Sequence, residues 1–190
     1  GVLAGKIYVC GGAGGGESAL STVERFDPRL NMWVAMPSML AGRQGAAGTS
    51  MSGKLYICGG TDGQQRIYSS VECFDSSSFS WDLLEPMQDS RFAPVAGSHD
   101  GKIYVCGGYD GDVSLNSMER LDMTVGTWEQ APPMAKAREA AVSAVVGGGL
   151  FVFGGAYRSG SEELASVERF DLVSQVWATL QTEMPPPSVA

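Results

Sequence analysis

The side chains of this 190-residue sequence best equipped for chemistry are four cysteines, one histidine, a recurring glutamate and three regularly placed arginines. Cys10, Cys58 and Cys106 fall 48 residues apart, each just ahead of a Gly-Gly pair, and Phe153 takes that place in a fourth copy. Equal places on neighbouring packed sheets lie ~10 Å apart, too far for a disulfide or a shared metal, so the three read as buried, reduced thiols. Cys73 stands where the other three copies carry arginine (Arg25, Arg120 and Arg169), and is the one cysteine expected within reach of a reagent. His99 precedes Asp100-Gly101, a hairpin-turn dipeptide, and reads as an exposed turn residue. One histidine cannot build a two-histidine metal site, so neither a metal nor a cofactor is expected. The run Gly11–Gly16 lacks the Gly-Lys-Ser/Thr ending of a phosphate loop and reads as a strand connection. Glu24, Glu72, Glu119 and Glu168 recur in every copy, which points to a hydrogen bond to a neighbouring unit rather than to a catalytic acid. No catalytic residue emerges, and the chain is not expected to be an enzyme.

The elements that must hold these residues follow from the repeat. Gly-Gly pairs at 11–12, 59–60, 107–108 and 154–155, with Trp33, Trp81, Trp128 and Trp177, divide the chain into four copies of about 48 residues. Ile7–Cys10, Leu55–Cys58, Ile103–Cys106 and Leu150–Phe153 are continuous apolar runs, so both faces of that strand are expected to be buried. A next strand covers Val23 to Phe26 and its equivalents. The constant six-residue step from Asp27, Asp75, Asp122 and Asp171 to the following tryptophan predicts one fixed turn. The tryptophan strand comes next. Small residues follow each arginine (Gly45–Gly48, Ala93–Ala96, Ala140–Ser143) and predict a strand close to a central axis. No segment reads as a helix.

Composition sets the outer limits. Glycine, 26 of 190, is about twice its usual share. A net charge of −8 disfavours a nucleic-acid partner. No apolar stretch is long enough for a spanning helix, so no membrane partner is expected. Neither paired cysteines nor an Asn-x-Ser/Thr sequon is visible, which suggests an intracellular, cytoplasmic protein.

Four-stranded units repeated about an axis describe an all-β propeller. The Gly-Gly pairs, the tyrosines or Phe151 before them, the Glu-x-Phe/Leu-Asp segments and the spaced tryptophans together resemble the kelch repeat, over essentially the whole chain. The spacing is most similar to the kelch half of BTB–kelch proteins, adaptors of cullin-family ubiquitin ligases. That resemblance implies a kelch-type β-propeller of four-stranded antiparallel blades and a protein–protein interaction module that recognises substrates. A cytoskeletal, actin-associated scaffold is the alternative. Propellers of that group usually have six blades, so the four repeats read as part of a larger ring. Blades are expected at 1–38 (without its inner strand, unless the C-terminus supplies one), 39–86, 87–134 and 135–183, with 184–190 starting the next inner strand.

Length variation locates the candidate site. The Trp-to-Arg step is 10 residues and the Arg-to-Gly step 16 wherever the arginine occurs, whereas the interval from the Gly pair to the glutamate varies over 12, 12, 11 and 13. Variable loops between second and third strands share one end of the propeller with the crossovers that carry the arginines. Arg43, Arg91 and Arg138 are the candidate near-axis cations, with Gln44, Phe92 and Glu139 as their blade-specific neighbours. Arg66, Tyr68, Tyr109, Tyr157 and Arg158 come from the loops. Several arginines on one rim would favour an acidic partner segment. Recurrence at 48 and 47 residues is equally what a structural pairing between blades would produce.

Overall fold

The computed structural model describes residues 1–15, 18–157 and 162–180. The first sheet holds β1 (Val2–Leu3), β2 (Lys6–Cys10), β3 (Val23–Asp27) and β4 (Met32–Met36). The second holds β5 (Ala47–Met51), β6 (Lys54–Cys58), β7 (Val71–Asp75) and β8 (Ser80–Leu84). The third comprises β9 (Val95–His99), β10 (Lys102–Cys106), β11 (Met118–Asp122) and β12 (Thr127–Ala131). In the fourth, β13 (Val142–Val146) and β14 (Gly149–Phe153) precede a short hairpin, β15 (Ala156–Tyr157) with β16 (Glu162–Glu163). Its outer strands are β17 (Val167–Asp171) and β18 (Val176–Thr179). Each large sheet is an antiparallel meander in chain order, and the described residues contain no helix.

Two turns recur because their residues permit them. Inner and second strands are joined by Ala4-Gly5, Ser52-Gly53, Asp100-Gly101 and Gly147-Gly148, both residues of each having positive φ, as the two-residue type I′ hairpin requires. The Asp-to-Trp step is indeed one turn. Asp27, Asp75, Asp122 and Asp171 each accept the N–H two residues on, at 2.8–3.1 Å. Asn31, Phe79, Gly126 and Gln175 occupy the left-handed position four residues after the aspartate. Lys6 holds the Asp27 carboxyl below its ordinary range, Lys54 does so for Asp75, and the Thr124 hydroxyl leads for Asp122. The Ser174 N–H is the main cause of lowering Asp171 to about 2.

A depressed carboxyl favours the fold above its unfolded value of 3.8 and loses that contribution as pH falls through the folded value. Thermal unfolding is therefore expected to be flat from about pH 7 to 5 and to weaken from about pH 4 downward. A midpoint unchanged at about pH 3 would contradict this.

Inner strands meet at the axis, as the small residues predict. The Thr49 hydroxyl donates to Ser98 Oγ at 3.1 Å, Ser98 to the Ser50 carbonyl at 2.8 Å and Ser143 to the Ala96 carbonyl at 3.0 Å. These strands begin about two residues later than the small-residue segments suggest, because Gly45, Ala93 and Ala140 form a left-handed turn ahead of them. The first sheet has a two-residue inner strand, Val2 and Leu3 pairing with Ile7 and Lys6, where the inner strands of the other sheets have five residues. The expected start of a further inner strand at 184–190 lies outside the described residues.

Cores form between sheets. Leu55, Ile57, Phe74 and Trp81 pack on Leu3, Tyr8, Val23 and Met39, and the same layers repeat at the next two interfaces. The β6 and β10 runs are buried on both faces, since a sheet stands on each side, whereas in β14 Leu150 and Val152 are buried but Phe151 and Phe153 only partly, because no described sheet covers their face. In β2 the expectation fails: Ile7 and Val9 are exposed, because no described sheet covers that face.

The cysteines need two corrections. Cys58 and Cys106 are fully buried and Cys10 only partly. Cys73, expected within reach, is buried in the layer with Tyr56, Val71 and Trp128. Burial pushes the Cys10 thiol up to about 11 and those of Cys58 and Cys106 to about 12. Each thiol therefore stays protonated near neutral pH, and the thiolate is the reactive form. Native labelling is expected to be slow and to reach Cys10 first; rapid modification of Cys58 or Cys106 would contradict the strand placement. His99 ends β9 and is half-buried, with Asp100-Gly101 forming the turn itself.

Candidate functional site: the loop and crossover face

The arginines come first, because they decide what the face has left to offer. Each crossover runs between sheets and lays its arginine against the glutamate of the next sheet. Glu72 accepts the Leu40 and Ala41 N–H groups at 2.6 and 3.1 Å and Arg43 Nε at 2.9 Å. Glu119 accepts Gln88 and Asp89 N–H and Arg91 Nη2, the last at 3.0 Å. Glu168 treats Ala135, Lys136 and Arg138 in the same way, with Arg138 Nη2 at 2.7 Å. The second function of each guanidinium explains the 16-residue step. Nη1 donates to the carbonyl of the first glycine of the pair, Gly59, Gly107 or Gly154, at 2.7–2.9 Å. The second glycine of a pair returns a bond: Gly12 N–H donates to the Arg43 carbonyl, Gly60 to that of Arg91 and Gly108 to that of Arg138, all at 2.8 Å.

Arg43, Arg91 and Arg138 are thus not rim cations. At 1, 0 and 1% exposure, with their charges matched by glutamates, they cannot reach a partner from where they stand. The recurring glutamates do have the expected interblade role, except for Glu24, which is exposed.

The residue after each arginine is different in kind. Gln44 exchanges both backbone hydrogen bonds with Thr61, Phe92 with Tyr109 and Glu139 with Ala156, at 2.8–3.0 Å. Each loop between second and third strands is a small hairpin, bridged at Ala13–Ala19, Thr61–Ile67, Tyr109–Ser114 and by β15 with β16. Next to the axis the crossovers link to one another: Ala93 N–H donates to the Gly45 carbonyl at 2.7 Å, and Ala140 N–H to that of Ala93 at 2.9 Å. Loops and crossovers therefore share one end of the molecule, and a belt of backbone bonds fixes their spacing.

An open cavity of about 430 Å³ lies on that end. Gln44, Phe92, Tyr109 and Glu139 converge on it, each selected on sequence grounds, and the Thr61–Ile67 hairpin forms its wall. The Phe92 ring rests where Gly45 has no side chain; a Cβ there would lie 2.3 Å from it. Tyr109 Oη donates to the Gly111 carbonyl at 2.7 Å, which anchors its ring. Glu139 is buried except where it meets the cavity.

The remaining candidates do not converge there. Arg66 and Arg43 both stand over the Tyr68 ring, 5.2 and 4.8 Å from its centroid, and Arg66 opens onto an adjoining polar groove with Asp62 that shares Gln64 and Gln65 with the cavity. Tyr157 lines a smaller cavity of about 260 Å³ with Lys136, Glu162 and Leu164. Arg158 lies outside the described residues. Thr61, Gln64, Gln65 and Ile67 are cavity residues that sequence reading passed over, although Asp62-Gly63 marked a turn between them. Asp62 Oδ1 accepts three N–H groups of its own loop, from Gln64, Gln65 and Arg66, at 2.9–3.1 Å, and so sets the hairpin's shape.

Two aromatic rings, three amide side chains, a hydroxyl and a carboxylate suit an extended polypeptide, which offers amides and side chains together. Among the described residues of the face, Arg66, Lys136, Asp112, Glu162 and Glu163 are exposed, and Asp62 and Asp110 are half-buried. The expectation of an acidic partner rested on several rim arginines, of which Arg43, Arg91 and Arg138 are buried and Arg66 is exposed.

Comparison with known proteins agrees with the repeat. A family model described as the KLHDC2/KLHL20/DRC7 Kelch-repeats domain matches residues 2–190. No curated protein matches the chain.

Proposed function

The chain belongs to the kelch-repeat family, whose domains are in general protein–protein interaction modules, and from that premise we propose that its loop and crossover face binds a peptide or exposed loop of a partner protein. The carrying observation is the cavity on which Gln44, Phe92, Tyr109 and Glu139 converge from three different crossovers and loops. Side chains on loops held by a rigid scaffold are where binding residues concentrate, and aromatic anchors in a cavity supply most of an interface's energy. We infer further that the module is the substrate-recognition part of a cytoplasmic BTB–kelch adaptor of a cullin-family ubiquitin ligase. The similarity of its spacing to that group supports the adaptor role.

The test compares the native protein with a Phe92→Ala/Tyr109→Ala double variant in capture from cell lysate followed by mass spectrometry. The expected result is a partner retained by the native chain and lost at least tenfold from a variant that unfolds at about the same temperature. For the adaptor role, depletion of the protein in cells should lengthen that partner's half-life. Unchanged capture by the double variant would move the site elsewhere, and co-sedimentation with actin filaments with no change in partner half-life would favour a cytoskeletal scaffold.

A further inference from the structure

Two anchored rings, a buried glutamate and an acidic surround meet at the cavity of the loop and crossover face. Gln44, Phe92 and Glu139 hold the same place in three successive crossovers and border it together. Phe92 and Tyr109 exchange both backbone hydrogen bonds at 2.8 Å, which sets them directly opposite with their side chains on one side. Neither ring is loose. Phe92 rests beside Gly45, and Tyr109 is tied through its hydroxyl to the Gly111 carbonyl. Glu139, 7% exposed, lies at the same border. Gln64 and Gln65 bring amide groups from the Thr61–Ile67 hairpin.

The surrounding charge is negative. Among the described residues of the face, Arg66 and Lys136 stand against five exposed or half-buried acidic groups, before Glu139 is added. Asp62 and Asp110 accept N–H groups of their own loops. Those bonds hold both carboxyls below the ordinary range, with Gln64 N–H leading for Asp62 and Val113 N–H for Asp110. Both are anions near neutral pH. Arg66 stands over the Tyr68 ring in the adjoining groove.

Given a peptide on this face, as proposed above, we infer that its anchor in the cavity is a basic side chain, arginine ahead of lysine. A cation is attracted by aromatic ring faces, by a carboxylate and by amide oxygens, and this cavity borders all three. A planar guanidinium stacks on a ring and donates from its edge at once, which an ammonium does not. Other anchors meet a cost. An aliphatic side chain would strip water from the glutamines without replacing its hydrogen bonds. A carboxylate would be set among like charges.

The test selects a phage-displayed library of random peptides on the native chain and on the Phe92→Ala/Tyr109→Ala variant. The peptides retained by the native chain are expected to share a motif with arginine, then lysine, enriched at one position. A synthetic peptide of the leading sequence should lose at least about tenfold in affinity when that arginine is replaced by alanine, and more when it is replaced by glutamate. Glu139→Gln and, independently, Phe92→Leu should each weaken the arginine peptide several-fold and leave the alanine peptide nearly unchanged, the coupling that a direct contact produces. A motif with no basic residue, or with an acidic one, overturns the inference. If binding of that motif is lost in Phe92→Ala/Tyr109→Ala, the face is still the site and only its anchor is different. Basic enrichment that survives the double variant also overturns the inference, because the attraction is then the net charge of the chain. Any other motif that survives it contradicts the site on this face as well. Retention of no peptide overturns the inference alone, and the site on this face is then decided by the lysate capture.

Discussion

Alanine in place of Arg91 is expected to lower the stability of the fold by about 3–5 kcal/mol, the usual cost of removing one partner from a buried ion pair. The cause is what remains. Glu119 is fully enclosed, and without the guanidinium it keeps two N–H donors but no countercharge. The Gly107 and Ser117 carbonyls lose donors at 2.9 and 3.0 Å in the same step. In thermal unfolding the loss corresponds to roughly 6–20 °C for a chain of this size. Adding Glu119→Gln to an Arg91→Met variant removes the stranded charge while keeping an acceptor for the two N–H groups, and should restore part of the loss. The non-additivity of that pair, measured as a double-mutant cycle, separates the charge effect from lost packing. The three arginines should not be equal. Arg138 is the least satisfied, with a buried Nε that has no hydrogen-bond partner, so Arg138→Ala is expected to cost least. Normal stability of Arg91→Ala would show that the interblade pairing contributes little.

Gly107→Ala is expected to cost at least about 3 kcal/mol, because two penalties coincide. The residue has φ +67°, which a Cβ disfavours by about 1–2 kcal/mol. That Cβ would also stand 2.5 Å from the Arg138 carbonyl oxygen, a backbone atom fixed by the bond it accepts from Gly108 N–H. Moving either segment disturbs the Arg91 contact to the Gly107 carbonyl. By contrast, Gly101→Ala meets nothing within 4 Å and bears only the left-handed backbone cost. Equal unfolding midpoints for the two variants would refute the close-approach argument.

Much of this fold is legible in the sequence, because a meander with short turns repeats its constraints at a fixed period. The 16-residue Arg-to-Gly step is constant since one side chain must reach one carbonyl. The six-residue Asp-to-Trp step is constant since one carboxylate closes one turn. The role of the arginines was not decidable from recurrence, which a binding ring and an interblade bond produce alike. A usable signal did exist: every arginine is followed 28–30 residues later by a glutamate, as a pair linking successive sheets requires.

The cavity was only half legible. Gln44, Phe92 and Glu139 could be chosen because they differ at one repeat position, whereas Gln64 and Gln65 sit in a loop whose shape depends on Asp62 bonding its own backbone. Cys73 misled because its equivalents, Arg25, Arg120 and Arg169, are partly exposed. A long arginine can extend its head to water from a strand where a short cysteine stays inside.

The central claim is that partner recognition belongs to the loop and crossover face, while the recurring arginines hold blades together. Hydrogen–deuterium exchange of the chain, alone and with its captured partner, tests it most directly. The account predicts new protection in the Thr61–Ile67 hairpin and around Phe92 and Tyr109, with no change in the type I′ turns at Ser52-Gly53 and Asp100-Gly101 at the opposite end. Protection confined to those turns, or absent from the Thr61–Ile67 hairpin, would contradict it.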